Sequence, residues 1–212
     1  MQELQQYGVI PIEYKTIANK LSSYKSPKDK ISQLEKSGHL IRLKKGLYIV
    51  SSDITNQQIS KELIANHLYG PSYISLETAL SFYGLIPERV YVTRSITTKR
   101  KKIYNTALGN FEYLRVPEKY FSIGLSQKII QNSYAYLIAS PEKALCDLIL
   151  TKSGLRFQSL KAIKEYVIND LRIDLDLIRN WDITIITECI RYGYKKSELE
   201  FLSKFLKNEC NI

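Results

Sequence analysis

The residues of this chain best suited to chemistry are the basic and amide side chains clustered between residues 25 and 45. This stretch carries seven Lys or Arg residues against two Asp or Glu residues. Cationic side chains neutralise phosphates, and a glutamine can form two hydrogen bonds with the major-groove edge of adenine. Gln33 therefore suits an adenine contact, and Lys28 or Lys30 suits a guanine contact. The residues with the reach of phosphate contacts are Lys25, Arg42, Lys44 and Lys45.

These side chains need a helix and a hairpin to hold them, and the sequence predicts both. Ser26 can cap a helix that has Pro27 at its first position and Asp29 at its third. Gly38 tolerates the positive φ with which many helices end. Two β-prone runs then flank the turn at residues 44–46, as in a tight hairpin.

A further helix is predicted just before this stretch, because residues 12–21 carry apolar side chains at helical spacing. Two closely joined helices followed by a hairpin are typical of a helix-turn-helix with a wing. A generic α+β fragment whose lysines only solvate a surface is the alternative. The complete set of predicted DNA-binding residues is Tyr24, Lys25, Ser26, Lys28, Lys30, Ser32, Gln33, Lys36, Arg42, Lys44 and Lys45.

The segment YKSPKDKISQLEKSGHLIRLKKGLYIV, residues 24–50, resembles the N-terminal winged helix of the AbiEi family, the antitoxins of type IV (AbiE-type) toxin–antitoxin systems. Two later segments, YISLETALSFYGL at residues 73–85 and SPEKALCD at residues 140–147, resemble the second domain of that family. The resemblance covers roughly residues 10–150. The positions that match the family in the first segment are Tyr24, Lys25, Pro27, Lys28, Asp29, Ile31, Leu34, Gly38, Ile41, Arg42, Leu43, Lys44, Gly46, Leu47 and Tyr48.

The resemblance implies an antitoxin that represses its own operon by binding inverted repeats in double-stranded promoter DNA. It also implies that the second domain neutralises a cognate AbiEii-like toxin of the nucleotidyltransferase kind, through functional antagonism without a stable complex. A monomer that binds DNA cooperatively is the expected assembly. Two alternatives stay open: a stand-alone regulator whose second domain senses a ligand or dimerises, and a second domain that modifies the toxin enzymatically.

Composition and charge agree with an acidic partner. The chain has 212 residues and a formal net charge of +10. Residues 1–52 carry nine basic and four acidic side chains, and residues 53–160 carry thirteen and eight, whereas the remainder is balanced. Three widely spaced cysteines predict neither a disulfide scaffold nor a metal site, and no cofactor motif is present. No catalytic constellation, signal peptide or membrane span is recognisable, so we expect a cytoplasmic protein that is not an enzyme.

The predicted fold class is α+β, with a winged helix-turn-helix at residues 1–52 and an α+β domain at residues 53–212. Short β-branched and aromatic runs at residues 90–97, 110–116, 120–125 and 134–139 predict a small, mostly antiparallel sheet, and the last quarter is helical in pattern. A basic run between the first two strands indicates a second basic surface, or else a solvated hairpin tip. The residues of this second basic surface are Arg89, Arg94, Lys99, Arg100, Lys101 and Lys102.

Overall fold

The computed structural model describes residues 2–210 and the side chains of residues 4–209, and its fold is α+β. The α-helices are α1 (Gln2–Gln5), α2 (Tyr14–Lys20), α3 (Pro27–Lys36), α4 (Ser52–Thr55), α5 (Lys61–Leu68), α6 (Leu76–Phe82), α7 (Glu118–Phe121), α8 (Pro141–Thr151), α9 (Leu160–Glu165), α10 (Ile183–Tyr192) and α11 (Lys196–Cys210). A π-helical turn, Tyr166–Asp170, continues α9, and a 3-10 turn occupies Leu175–Ile178. Among the described residues, no helix is both long enough and apolar enough to cross a membrane.

The strands form two separate sheets. They are β1 (Ile12–Glu13), β2 (Leu40–Lys44), β3 (Leu47–Val50), β4 (Ser72–Ile74), β5 (Val92–Thr97), β6 (Lys102–Thr106), β7 (Gly109–Arg115), β8 (Leu125–Ile130) and β9 (Tyr134–Ala139). The first sheet is antiparallel with the order β1-β3-β2, and the second has six strands in the order β6-β7-β5-β4-β9-β8.

Helix α3 begins and ends where the sequence predicts. The Ser26 hydroxyl accepts a hydrogen bond from the Asp29 N–H at 3.4 Å, which caps the first turn, and Pro27 occupies the first helical position. Gly38 ends the helix with a φ of +75°, a conformation that costs glycine little. Ile31 and Leu34 are buried, so the opposite face of the helix is free to meet solvent.

The three-stranded sheet is covered on both faces, because β3 sends alternate side chains into two different cores. Tyr48 and Val50 join a first core with Ile17 and Ile31, beneath α2 and α3. Leu47 and Ile49 belong instead to a second core that includes α5, α6 and the six-stranded sheet. All four residues of β3 are buried, as expected for a strand with both faces covered. The β2–β3 hairpin is therefore shared between the two cores.

The predicted division between residues 52 and 53 falls inside α4. Ser51 caps this short helix, and Ile54 packs into the first core rather than lying in a polar linker. Gln5 adds a hydrogen bond from its side-chain amide to the Ile54 carbonyl at 3.2 Å. The division into two domains stays a prediction.

The six-stranded sheet is mixed: most of its pairings are antiparallel, as predicted, but two are parallel. β4 pairs parallel with β9, and β5 pairs parallel with β7, whereas the other three pairings are antiparallel. Parallel pairing arises because β5 and β7 are not joined by a direct hairpin. The chain passes from β5 to the edge strand β6 and returns as β7 between them. Helices α6 and α8 pack together over one part of this sheet, and α5 packs against β4 and β9.

The strand predicted at residues 120–125 is wrong, since α7 occupies residues 118–121 there. Pro117 and Glu118 begin a helical turn whose Tyr120 ring is fully buried, and burial rather than strand pairing accounts for the aromatic residue. Strands β1, β4, β6 and β8 were not expected, and β1 occupies the first two residues of the helix predicted at residues 12–21. β6 and β8 lie at sheet edges and alternate polar with apolar residues too weakly for the sequence to mark them.

Candidate nucleic-acid interface

The exposed face of α3 carries cations that have no partner among the described residues. Lys28, Ser32, Gln33 and Lys36 are exposed, whereas the apolar residues of the helix are buried. Neither Lys28 nor Lys36 forms a hydrogen bond or an ion pair with any residue that the structure describes. The same holds for Lys25, which precedes the helix and is also exposed. These ammonium groups are available to an anionic ligand without the loss of an existing contact.

Three of the predicted residues form a connected group along one flank of α3. The Lys30 ammonium lies 5.2 Å from the centre of the Tyr24 ring, a cation–π contact. The same ammonium donates a hydrogen bond to Gln33 Oε1 at 3.3 Å. Lys30 is half-buried while Gln33 is exposed, so the lysine supports the glutamine from the side of the helix.

Arg42 links the hairpin to α3 on the opposite flank. Its guanidinium donates to Glu35 Oε2 at 2.9 Å and lies 5.6 Å from the centre of the Tyr48 ring. About half of the Arg42 side chain remains exposed, at 52%. The positive charge of Arg42, which was predicted to contact phosphate, is therefore partly neutralised by the Glu35 carboxylate in the free protein.

The turn between β2 and β3 places Lys45 beside the beginning of α2. The Tyr14 N–H donates to the Gly46 carbonyl at 2.9 Å, and Gly46 has a φ of +82° that suits this tight turn. Lys45 is exposed and without an ion pair among the described residues. An open groove of about 620 Å³ lies here, lined by Glu13, Tyr14, Lys15, Arg42, Lys45, Gly46 and Tyr48.

Lys15 is a candidate that the sequence-based prediction missed. It is exposed and lines the same groove as Lys45, although about thirty residues separate the two in the chain. The signal in the sequence is weak, since Lys15 is a single basic residue next to an apolar helical stripe. The backbone hydrogen bond between Tyr14 and Gly46 brings it to the turn.

Lys44 does not face the same way as Lys45. Its ammonium donates to the Leu68 carbonyl at 2.6 Å, at the last turn of α5, where a helix favours a cation. It also lies 5.9 Å from the centre of the Tyr104 ring on β6. Burial, and then the nearby charge of Lys99, lower the pKa of Lys44. This residue ties the hairpin to the second core.

The residues predicted as a second basic surface do not form one continuous patch. Arg89 precedes β5 and lies against Tyr91, whereas Lys99, Arg100, Lys101 and Lys102 follow β5, a strand about 20 Å long. Arg94, within the strand, is half-buried.

Most of these cations are already engaged within the protein. The Arg94 guanidinium contacts Glu77 at 2.8 Å and Glu112 at 3.1 Å, and Lys101 contacts Glu112 at 3.0 Å. The Lys99 ammonium donates to the Gly70 carbonyl and lies 5.4 Å from the centre of the Tyr69 ring, and Lys102 lies 5.7 Å from the Tyr104 ring centre. Arg100 is exposed, and its side chain has no ion pair among the residues that the structure describes.

The two later segments that resemble the antitoxin family meet in the second core. Asp147 and Lys143 of α8 are fully buried and form an ion pair of 3.1 Å. Asp147 Oδ2 accepts hydrogen bonds from Tyr73 at 3.0 Å and from Ser75 at 2.6 Å. Lys143 also donates to the Tyr120 carbonyl at 3.1 Å. Burial first, and then the Asp147 charge, raise the pKa of Tyr73 well above its usual value, so its hydroxyl stays a donor.

Other members of these segments have structural roles of the same kind. Ser140 caps α8 by accepting the Lys143 N–H, and Glu142 accepts the Asp182 N–H at 3.1 Å. Cys146 and Cys189 are buried free thiols, and the side chain of Cys210 lies outside the described residues. Within the described part of the chain, no group of three or more His, Cys, Asp or Glu side chains could hold a metal ion.

Comparison with known proteins bears on the fold alone. No family model and no curated protein matches the chain. Among solved structures, the crystal structure of the RV2827C protein from Mycobacterium tuberculosis is similar over 99% of this chain and 78% of that chain. The TM-score is 0.51 and the sequence identity is 10%. This chain therefore shares an α+β fold with that protein, and the likeness carries nothing about its activity.

Proposed function

We propose that the N-terminal residues form a winged helix that binds duplex DNA, with α3 as the recognition helix and the β2–β3 hairpin as the wing. The observation that carries this proposal is the exposed face of α3, where Lys28, Gln33 and Lys36 are exposed and the exposed Lys25 precedes the helix. An α-helix with its side chains is ~10–12 Å wide, which matches the ~12 Å major groove of B-DNA.

The distribution of the free cations supports duplex DNA over a small anion. Lys25 and Lys28 lie at the beginning of α3, while Lys15 and Lys45 lie together at the groove beside the turn. A ligand that meets both sets at once must be extended and carry charges along its length. The phosphate backbone on either side of a major groove has these properties.

We further propose that the protein is an antitoxin that represses its own operon. This part of the proposal depends on the resemblance to AbiEi antitoxins at residues 24–50, 73–85 and 140–147. In this proposal α3 binds inverted repeats in the promoter, and the region around the second core antagonises a nucleotidyltransferase-like toxin. Asp147 and Lys143 are buried and paired with each other, so their role in the two later segments is structural. Neutralisation of the toxin would therefore involve other, exposed residues.

A stand-alone regulator that senses a ligand is the second candidate. The observation in its favour is an open groove of about 400 Å³ at the second core, with both acidic and basic side chains at its walls. Tyr91 at this groove is 75% exposed and lies beside Arg89. Growth rescue separates the two candidates, because an antitoxin restores growth when it is expressed with a toxin encoded beside it and a simple regulator does not.

DNA binding is tested with a triple variant, Lys25→Ala, Lys28→Ala and Lys45→Ala, and the promoter DNA of its own gene. We expect the affinity to fall at least tenfold at 100 mM salt, and the slope of log K against log[salt] to become shallower by ~2–3, since each lost phosphate contact removes ~0.9. Fluorescence anisotropy over a salt series measures both quantities.

The matched control is Lys196→Ala, Lys204→Ala and Lys207→Ala on α11. These three lysines are also exposed, and their removal changes the net charge by the same amount. The control should keep the wild-type slope. Equal losses in the two variants would mean that only net charge matters, and the winged-helix proposal would then be wrong.

A further inference from the structure

We propose that Gln33 recognises guanine rather than adenine, because Lys30 holds its amide in the orientation that presents hydrogen-bond donors. The inference depends on the proposed binding of duplex DNA by α3. It concerns which base the helix selects, and so it goes beyond the affinity for phosphates.

The orientation of the Gln33 amide follows from the chemistry of its neighbour. A lysine ammonium has donors and no acceptor, so the group that faces it must be the carbonyl oxygen of the amide and not the NH₂. The Lys30 ammonium lies 3.3 Å from Gln33 Oε1. The Gln33 Nε2 group therefore points away from Lys30 and has both of its hydrogens free.

Tyr24 keeps Lys30 in the place where it orients the amide. The ammonium lies 5.2 Å from the centre of the Tyr24 ring, and cations are attracted to the face of such a ring. Lys30 is half-buried on the flank of α3, between the ring and the amide. Lys30 is therefore a positioning residue, and Gln33 is the residue that contacts the base.

An amide held in this way matches guanine best. The two-bond contact of glutamine with adenine requires Oε1 to accept from the adenine amino group. Oε1 keeps a second lone pair for this contact, but the Lys30 ammonium beside it repels the partial positive charge of that amino group. Guanine instead presents two adjacent acceptors, O6 and N7, to the major groove. Thymine offers a single acceptor next to a methyl group. The Nε2 group can donate to either of these guanine acceptors, and guanine has no major-groove donor that the Lys30 ammonium would repel.

The test begins with duplexes selected from a randomised pool by the wild-type protein. The Gln33→Ala variant should lose base selectivity at one position of these duplexes, and at that position we expect the wild-type protein to prefer guanine. Replacement of this guanine by 7-deazaguanine, which lacks the N7 acceptor, should weaken binding roughly 5- to 100-fold, the usual size of a specific base contact. Inosine at the same position should be tolerated, because it keeps O6 and N7 and changes only the minor groove.

The decisive variant is Lys30→Met, which keeps most of the apolar stem of the side chain but removes the donor. It frees Gln33 Oε1, so the preferred base at that position should change from guanine to adenine. Lys36→Met is the matched control, since Lys36 is exposed on the same helix and forms no hydrogen bond or ion pair with any described residue. It should lower the affinity for every duplex alike and leave the preferred base unchanged.

Three results would overturn the inference: adenine as the wild-type preference, guanine retained by Lys30→Met, or the same change of base in Lys36→Met. Each of these leaves DNA binding itself intact. A wild-type protein that binds no duplex would contradict the proposed function instead, so the two failures are distinguishable. Thermal unfolding of each variant confirms that the change in base preference does not come from a loss of folding.

Discussion

The lysines at the surface of α3 and its hairpin differ from the lysines around the second core in what surrounds them. Lys25, Lys28 and Lys45 are exposed and have no hydrogen bond or ion pair among the described residues. Lys101 contacts Glu112 at 3.0 Å, and the buried Lys143 contacts Asp147 at 3.1 Å. The two regions both carry an excess of basic residues, but only the first offers most of its charge to a partner.

This difference shows why counting charges along a sequence is a poor guide to a binding surface. A cation already paired with a carboxylate must give up that contact before it can bind a phosphate, whereas a solvated lysine gives up only water. Arg94 illustrates the first case, because two glutamates contact its guanidinium. Substitutions of residues of each kind test this difference.

The largest effect is expected from Lys143→Met. This change leaves the Asp147 carboxylate buried without its charge partner, and breaking a buried pair typically costs ~3–5 kcal/mol. Urea unfolding followed by circular dichroism measures the loss in free energy of unfolding. The matched surface variant is Lys28→Met, which should change the free energy of unfolding by no more than about 0.5 kcal/mol.

A double variant checks the cause of this loss. Adding Asp147→Leu to Lys143→Met removes the uncompensated charge, so the double variant should be more stable than the sum of the two single changes predicts. The double variant should not recover the full wild-type stability, since Tyr73 and Ser75 lose their hydrogen-bond acceptor. Strict additivity would show that the ion pair is not what stabilises this core.

An intermediate effect is expected where two neighbouring lysines of the hairpin are compared. Lys44→Met leaves the Leu68 carbonyl without its donor and should lower the free energy of unfolding by about 1 kcal/mol. Because Lys44 faces the second core, the salt dependence of DNA binding should keep its wild-type slope. Lys45→Met should do the opposite, with unchanged stability and a salt slope shallower by ~0.9. Anisotropy titrations measure the salt slope of each variant, and urea unfolding measures its stability. Identical results for the two variants would contradict a structural role for Lys44 and a DNA-binding role for Lys45.

The sequence predicted the parts of the fold that depend on local signals. The cap at Ser26, the end of α3 at Gly38 and the turn at Gly46 each follow from a residue whose own conformational preference decides the structure. The last quarter of the chain was also predicted to be helical, and α9, α10 and α11 lie there.

The features that the sequence did not predict depend on contacts between distant segments. Nothing local to Lys44 indicates that its ammonium reaches the Leu68 carbonyl rather than solvent. The parallel pairing of β5 with β7 is likewise decided by a crossing of the chain through β6. The residue types and their spacing in the sequence therefore identified the exposed lysines of α3 as candidate binding residues. They could not show that Lys45 is exposed while Lys44 faces the second core, and they did not identify Lys15.

The smallest effect is expected from Glu35→Gln, which turns a paired cation of the hairpin into a free one. Glu35 contacts Arg42 at 2.9 Å, and exposed pairs of this kind contribute ~0–1 kcal/mol, so stability should hardly change. Without that carboxylate, Arg42 should bind promoter DNA more readily and raise the affinity roughly two- to fivefold. Glu188→Gln, an exposed glutamate on α10, makes the same change in net charge at a distance and should have no effect at 150 mM salt, where screening acts within ~8 Å. Adding Arg42→Gln to Glu35→Gln should abolish the gain; a gain that survives would mean that Arg42 does not meet the DNA.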